Sequence, residues 1–245
     1  MSGFQVFGVE GMPEVGRGDD LGQLIVDRFQ VEQGDVVVVA QKVVSKSEGM
    51  VCQLDGVTPS RRAREYAARL PGADARLIQL ILDQSRRVVR SERVLIVETI
   101  HGFVCANAGI DHSNVPGQDS VTLLPQDSDE SAARLRSNLL RRSGKEVAVI
   151  VSDTFGRPWR NGVVNVALGV AGMPAVIDYR GRPDDFGRRL EATVIGIADE
   201  LAAAAELAMA KTDRTPVVVV RGFSALGDHG RGAELIRPAE LDLFR

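Results

Sequence analysis

DVVVVAQKVVS, residues 35–45, is apolar almost without alternation. A strand with one face in water would alternate with a period of two, so an unbroken valine run implies burial on both faces. RVLIVETI (93–100), EVAVIVSD (146–153) and TPVVVVRG (215–222) read the same way. Each is rich in valine or isoleucine and is bounded by Gly, Pro or polar residues. The four runs predict buried strands with helices covering the sheets, an α/β (mixed α+β) fold.

Helical patterns fall between these runs. DDLGQLIVDRFQVEQGD (19–35) opens on an Asp cap and ends before Gly34. Residues 61–70 and 74–84 carry apolar and charged residues at helical spacing. DSDESAARLRSNLLRRSGK (127–145) begins acidic, ends basic and meets Gly144, which suits the helix dipole at both ends. The longest helical pattern is 184–211, where Leu190, Val194, Ile197, Leu201 and Leu207 fall near one face and alanine raises the propensity. Its small residues suit tight packing against another helix or another subunit. HGFVCANAGIDHSNVPGQDS (101–120) is a long polar stretch, and loops of that length inside compact domains are usually functional. The chain therefore reads as one domain over 1–245, or as two intimate subdomains with a boundary near 100–120.

Composition narrows the class. In 245 residues, 44% hydrophobic content supports a real core, and a net charge of -3 leaves no footprint for nucleic acid or a membrane surface. Cys52 and Cys105 lie far apart and form no CxxC, which favours a reducing, cytoplasmic compartment. Neither a basic-then-apolar leader nor an apolar run of membrane-spanning length occurs.

The familiar catalytic signatures are missing. The sequence has no GxxxxGK[ST], GxSxG or HExxH and no complete GxGxxG. His101, His112 and His229 do not have metal-ligand spacing. What remains is oxygen chemistry. Asp111 and Asn114 lie in a Gly-containing loop, and VSDTFGRPWR (151–160) puts Asp153 and Thr154 at a strand end. Carboxylates on separate loops plus a threonine hydroxyl form a set that can hold Mg²⁺ or Mn²⁺ against a nucleotide phosphate, although Asp at a strand end also serves as a turn or cap residue. Arg157, Arg160, Arg180, Arg182, Arg188 and Arg189 could fork onto anions or simply face nearby aspartates in solvent. Lys42, Ser45 and Lys46 follow a buried strand, where a lysine could reach a phosphate or end in water. GMPEV (11–15) is a turn signal that could approach a ligand through its backbone. For Trp159, packing beside the turn is the default role and ligand stacking the minority one.

Several segments recur in one order across nearly the whole chain: GMPEV, VVVAQKVVSKSEG, ETIHGFVCANAGIDHSNV, VSDTFGRPWRNG, DYRGRPDDFGRRL, ADELAAAAELAMAK and VVRG. Together they resemble the coenzyme F420-0:L-glutamate gamma-ligase family. The resemblance implies a GTP-dependent enzyme that joins L-glutamate to the side-chain carboxylate of F420-0, some members adding further gamma-linked glutamates. The implied course is an acyl phosphate on the acceptor, attacked by the glutamate amine. Two divalent ions (Mg²⁺ or Mn²⁺) and a K⁺ are implied as cofactors. The implied fold is an unusual α/β arrangement, neither P-loop nor ATP-grasp, in an intertwined homodimer.

Residue by residue, the resemblance assigns Asp111 and Asp153 to a first metal site and Thr154 to a second. It assigns Met12, Pro13, Glu14, Val15, Lys46 and Asn114 to GTP, together with Gln41, which stands where a serine is common. The ending near ELIRP matches the single-domain form, so no C-terminal nitroreductase-like domain and no flavin are expected. Two other readings stay open: a ligase of the same fold with a different carboxylate acceptor, and a GTP- or F420-binding module without catalysis.

Overall fold

The computed structural model describes residues 3–113, 115, 117, 119–211, 213–223, 226–227 and 230–242. The chain begins with β1 (Gln5–Gly8), α1 (Leu21–Val26), β2 (Val36–Ala40) and α2 (Gln41–Ser47). There follow β3 (Val51–Gln53), α3 (Arg61–Ala67), α4 (Ala75–Asp83), β4 (Ser85–Ser91), β5 (Leu95–Thr99), β6 (Val104–Ala106) and β7 (Ser120–Thr122). Next come α5 (Ser128–Ser143) and the long hairpin β8 (Ala148–Arg157) and β9 (Arg160–Ala171). The last elements are β10 (Ile177–Asp178), β11 (Val194–Ile195), α6 (Ile197–Met209) and β12 (Val217–Arg221).

The principal sheet has the order β1-β12-β2-β8-β9. Only β2 and β8 pair in parallel; the other neighbours are antiparallel. Both faces are buried, as the valine runs predict. Val37, Val39, Val149, Val151, Val217 and Val219 pack with Leu21, Ile25, Leu135 and Leu139 beneath α1 and α5. Their sequence neighbours Val36, Val38, Ala148, Ile150, Val218 and Val220 pack with Ile197, Leu201, Ala205 and Met209 of α6. The buried Ala198, Ala202 and Ala205 present no bulk, so α6 can lie close on the sheet. A third core is built from residues 54–121 around α3, α4 and β5. Among the described residues no helix is long and apolar enough to cross a membrane.

Caps join these layers. Asp20 accepts the Gln23 N–H at 3.0 Å at the start of α1, accepts from Asn138 Nδ2 of α5 at 2.6 Å, and pairs with Arg142. Asp20→Ala loses the cap and both ties to α5, and is expected to lower stability by about 1–2 kcal/mol, measured by urea denaturation. α5 itself runs from its Asp127 cap to the left-handed Gly144 (φ 67°), as its charge pattern predicts.

Five expectations need correction. The strand expected over 35–45 ends at Ala40, because Gln41–Ser47 winds into α2 with Ser45 Oγ bonded to Gln41 Oε1 one turn back at 2.9 Å. The helix expected over 19–35 stops at Val26. The pattern over 184–211 is helical only from Ile197; residues upstream form turns and the short β10–β11 pair. Leu207 consequently stands 88% exposed rather than on the apolar face. Asp153 is not at a strand end either: β8 continues to Arg157 and turns directly into β9, with Trp159 left-handed (φ 55°) and 82% exposed at the tip.

Candidate functional site

The parallel pair β2–β8 aligns Ala40 with Ser152, so the start of α2 lies beside the Asp153–Thr154 step. Three loops reach α2 or this step. The first is the N-terminal loop, where Met12 and Val15 are buried while Pro13 and Glu14 are exposed. Glu14 Oε1 accepts from Lys46 Nζ at 2.5 Å, which clips that loop to α2. The second loop carries Asp111, whose Oδ2 lies 2.7 Å from Lys42 Nζ on α2. The third follows α6, where Lys211 Nζ donates to Thr154 Oγ1 at 2.5 Å and lies 3.1 Å from Glu206 Oε1. Met12, Glu14, Val15, Gln41, Lys46, Asp111, Asp153 and Thr154 thus belong to one region. Asn114, expected to contact nucleotide, lies outside the described residues.

Backbone conformation is spent on two of these side chains. Asn107, Ala108 and Gly109 are successively left-handed (φ 52°, 55° and 69°) just before Asp111, and Ala108 is buried. Such conformations cost an L-residue roughly 1–2 kcal/mol each and concentrate where geometry matters for function. The following segment is held by mutual Asp111–Thr122 backbone hydrogen bonds. Ala210, immediately before Lys211, also has a positive φ (46°).

The two carboxylates differ electrically. Burial raises Asp111, but the Lys42 ammonium and the Ser113 N–H outweigh it and hold the group below the ordinary carboxylate value. Asp153 is pushed up to about 7, mainly by burial and further by the charge of Asp111. The Thr154 N–H and the ammoniums of Lys42 and Lys211 oppose that rise. Cys105 lies close by, and burial together with Asp153 pushes its thiol up to about 12. It is therefore not a thiolate nucleophile at neutral pH.

These donors suit a hard cation. Two carboxylates, one of which is raised by the charge of the other, and a hydroxyl offer oxygen only, as Mg²⁺ or Mn²⁺ prefer. Among the described residues no group of three or more His, Cys, Asp or Glu is arranged to hold a metal ion. A divalent ion held here would complete its shell with water and phosphate, the usual arrangement at nucleotide sites. Two polar atoms near the same step, Gln41 Nε2 and Ser152 Oγ, are buried without a hydrogen-bond partner among the described residues. A buried amide N–H without an acceptor is costly unless a ligand supplies one.

The arginines are divided. Arg157, at the outer end of β8, has a buried Nη1 without a partner among the described residues. Arg180 is taken up by Asp178 at 2.6 Å, and Arg182 lies 4.8 Å over the Tyr179 ring. Both are thus engaged by neighbours within the β10–β11 excursion. Sequence reasoning missed the partners of the central residues: Lys211, which closes the ADELAAAAELAMAK segment but was given no role of its own, and Asn165, whose strand β9 it did not identify.

Relatives match the chain over nearly its whole length. A family profile described as F420-0:Gamma-glutamyl ligase matches residues 11–222. The chain is 46% identical over 252 residues to the coenzyme F420:L-glutamate ligase of Methanothermobacter thermautotrophicus, covering 99% of each. It is 46% identical over 242 residues to the enzyme of that name in Archaeoglobus fulgidus, covering 98% of this chain and 96% of the relative. With that of Methanocaldococcus jannaschii it shares 42% identity over 228 residues, covering 92% and 90%.

Proposed function

The chain belongs to the F420-0:gamma-glutamyl ligase family, and on that basis we propose that it joins L-glutamate to the side-chain carboxylate of coenzyme F420-0 at the expense of GTP. The observation that carries this reading is the gathering of Asp111, Asp153, Thr154, Lys42 and Lys211 at the β2–β8 junction. It is a site for bringing anions together, in a chain whose relatives are named ligases.

A carboxylate is a poor acyl donor because its oxygen leaves badly. Transfer of the γ-phosphoryl group to that oxygen gives an acyl phosphate. The glutamate amine then forms the C–N bond as the C–O bond to phosphate breaks; inorganic phosphate leaves and the amine gives up a proton. Asp111 and Asp153 would hold one divalent cation and Thr154 a second, which would supply charge neutralisation, with a K⁺ as a further cofactor. Lys42 and Lys211 add ammonium groups where phosphoryl and carboxylate charge must meet. The Met12–Val15 loop, Gln41 and Lys46 bind the nucleotide, and Arg157 guides the anionic acceptor. The active assembly is a homodimer.

Purified protein given GTP, Mn²⁺ or Mg²⁺, L-glutamate and F420-0 is expected to yield GDP, phosphate and a product one glutamate heavier by mass spectrometry. No mass shift, under conditions where an established ligase works, overturns the reading. Lys46→Met is expected to raise the KM for GTP about 10- to 100-fold with a smaller effect on kcat, since one charge-assisted phosphate contact is lost. Its partner Glu14 is exposed, so stability should hold. An unchanged KM for GTP removes Lys46 from the nucleotide site.

A further inference from the structure

Asn165 is the only polar side chain between Val163 and Ala171, and it is 3% exposed. A buried amide in an otherwise apolar strand calls for an explanation. It stands opposite Thr154 in the β8–β9 register. Thr154 Oγ1 donates to Asn165 Oδ1 at 2.8 Å, and Asn165 Nδ2 faces the Met209 sulfur at 3.4 Å.

This arrangement fixes the direction of one proton. A thioether has no hydrogen to give, so the amide NH₂ is the end that can face Met209 favourably. The amide oxygen is thereby turned to Thr154. That oxygen can only accept, so the Thr154 hydroxyl must donate to it. Both Oγ1 lone pairs are then left for the open side, where Lys211 Nζ donates to Oγ1 at 2.5 Å. Without Asn165 the hydroxyl could rotate and point its proton into the site, against any cation there.

We propose that Asn165 is a positioning residue, which takes the Thr154 hydroxyl proton so that Thr154 offers only lone pairs to a cation in the ligase site. The proposal rests on the ligase reading above, in which Thr154 is a ligand of the second ion. Asn165 itself touches neither substrate nor ion. Second-sphere partners of this type commonly change metal affinity by about 10- to 100-fold.

The test is Mn²⁺ titration of the protein–GTP complex without acceptor, with free Mn²⁺ read by electron paramagnetic resonance and folding followed by thermal melting. Asn165→Val, a strand-favouring change among valines, is expected to weaken the Thr154-dependent Mn²⁺ about tenfold or more. Asn165→Asp keeps an acceptor facing Thr154 and is expected to retain most of the affinity. In a Thr154→Val background, Asn165→Val should weaken binding no further, because no hydroxyl is left to orient. If Asn165→Val does not fold, Asn165→Ala carries the same comparison. The positioning role is overturned if the unaltered protein and a folded Asn165→Val variant bind Mn²⁺ alike. It is equally overturned if the two single effects add in full, as a merely structural role would give, or if Thr154→Val leaves Mn²⁺ binding intact. If the unaltered protein with GTP binds no Mn²⁺ at all, the ligase reading fails and this role fails with it.

Discussion

Asp153→Asn is expected to lower the rate of F420-0 glutamylation at least about a thousandfold while leaving the fold intact. Asn keeps the shape and one oxygen but removes the charge, and charge is what the site needs where phosphate and carboxylate converge. Loss of a single well-placed electrostatic group in such sites costs about 10²–10³. Here the loss is larger, because the carboxylate would help hold an ion on which both phosphoryl transfer and acyl transfer depend. Asp111 cannot substitute for it, since its Oδ2 is already engaged by Lys42 at 2.7 Å. The measurement is product mass and phosphate release at saturating GTP, with a thermal melt to show that the variant is folded. A rate within tenfold of the parent would remove Asp153 from the chemistry.

The sequence revealed the sheet and the acidic half of the site far better than the surroundings. Valine runs announce burial on both faces regardless of strand direction, and Asp20, Asp127 and Gly144 mark helix ends through local chemistry. Three features were hidden for physical reasons. α2 follows β2 without a breaker, and Val43 and Val44 continue the strand's composition, so nothing local marks the change. β9 opens with Arg160, Asn161 and Gly162, which read as loop, because the reversal itself rests on a left-handed Trp159 that no turn rule favours. Leu190 and Val194 happen to continue the spacing of Ile197 and Leu201, though their backbone is not helical. The cost of missing β9 was Asn165: only the hairpin register brings it to Thr154. Lys211 was hidden similarly, reaching the site through the tertiary position of the end of α6.

In protein stripped of divalent ions, Asp153→Asn is expected to be more stable than the parent at pH 8, and the difference should vanish near pH 4. The folded carboxylate is pushed up to about 7, whereas in the unfolded chain it returns to its ordinary value near 4. Below about pH 4 both states carry the proton and the group contributes nothing. As pH rises from 4 to 7 the unfolded chain gives up the proton while the folded one retains it, so stability falls; above 7 both are ionised and the penalty is full and constant. Asp111, held below its ordinary value, works in the opposite sense. It adds stability that is present above pH 4 and lost below, outside this window. Lys42 and Lys211 face the same carboxylate, and their charges oppose its rise, so they reduce the penalty without changing its direction. After screening, the gain in the variant should be on the order of 1–2 kcal/mol, read from urea denaturation at several pH values. Identical parent and variant curves from pH 4 to 8 would show that the carboxylate is not raised. Adding Mn²⁺ and GTP should then reverse the order. A ligand stabilises the form that binds it in proportion to the logarithm of its concentration over Kd, and the variant has lost the charge proposed to bind the ion. The carboxylate proposed to serve the chemistry is therefore one that the fold holds uncomfortably without a cation.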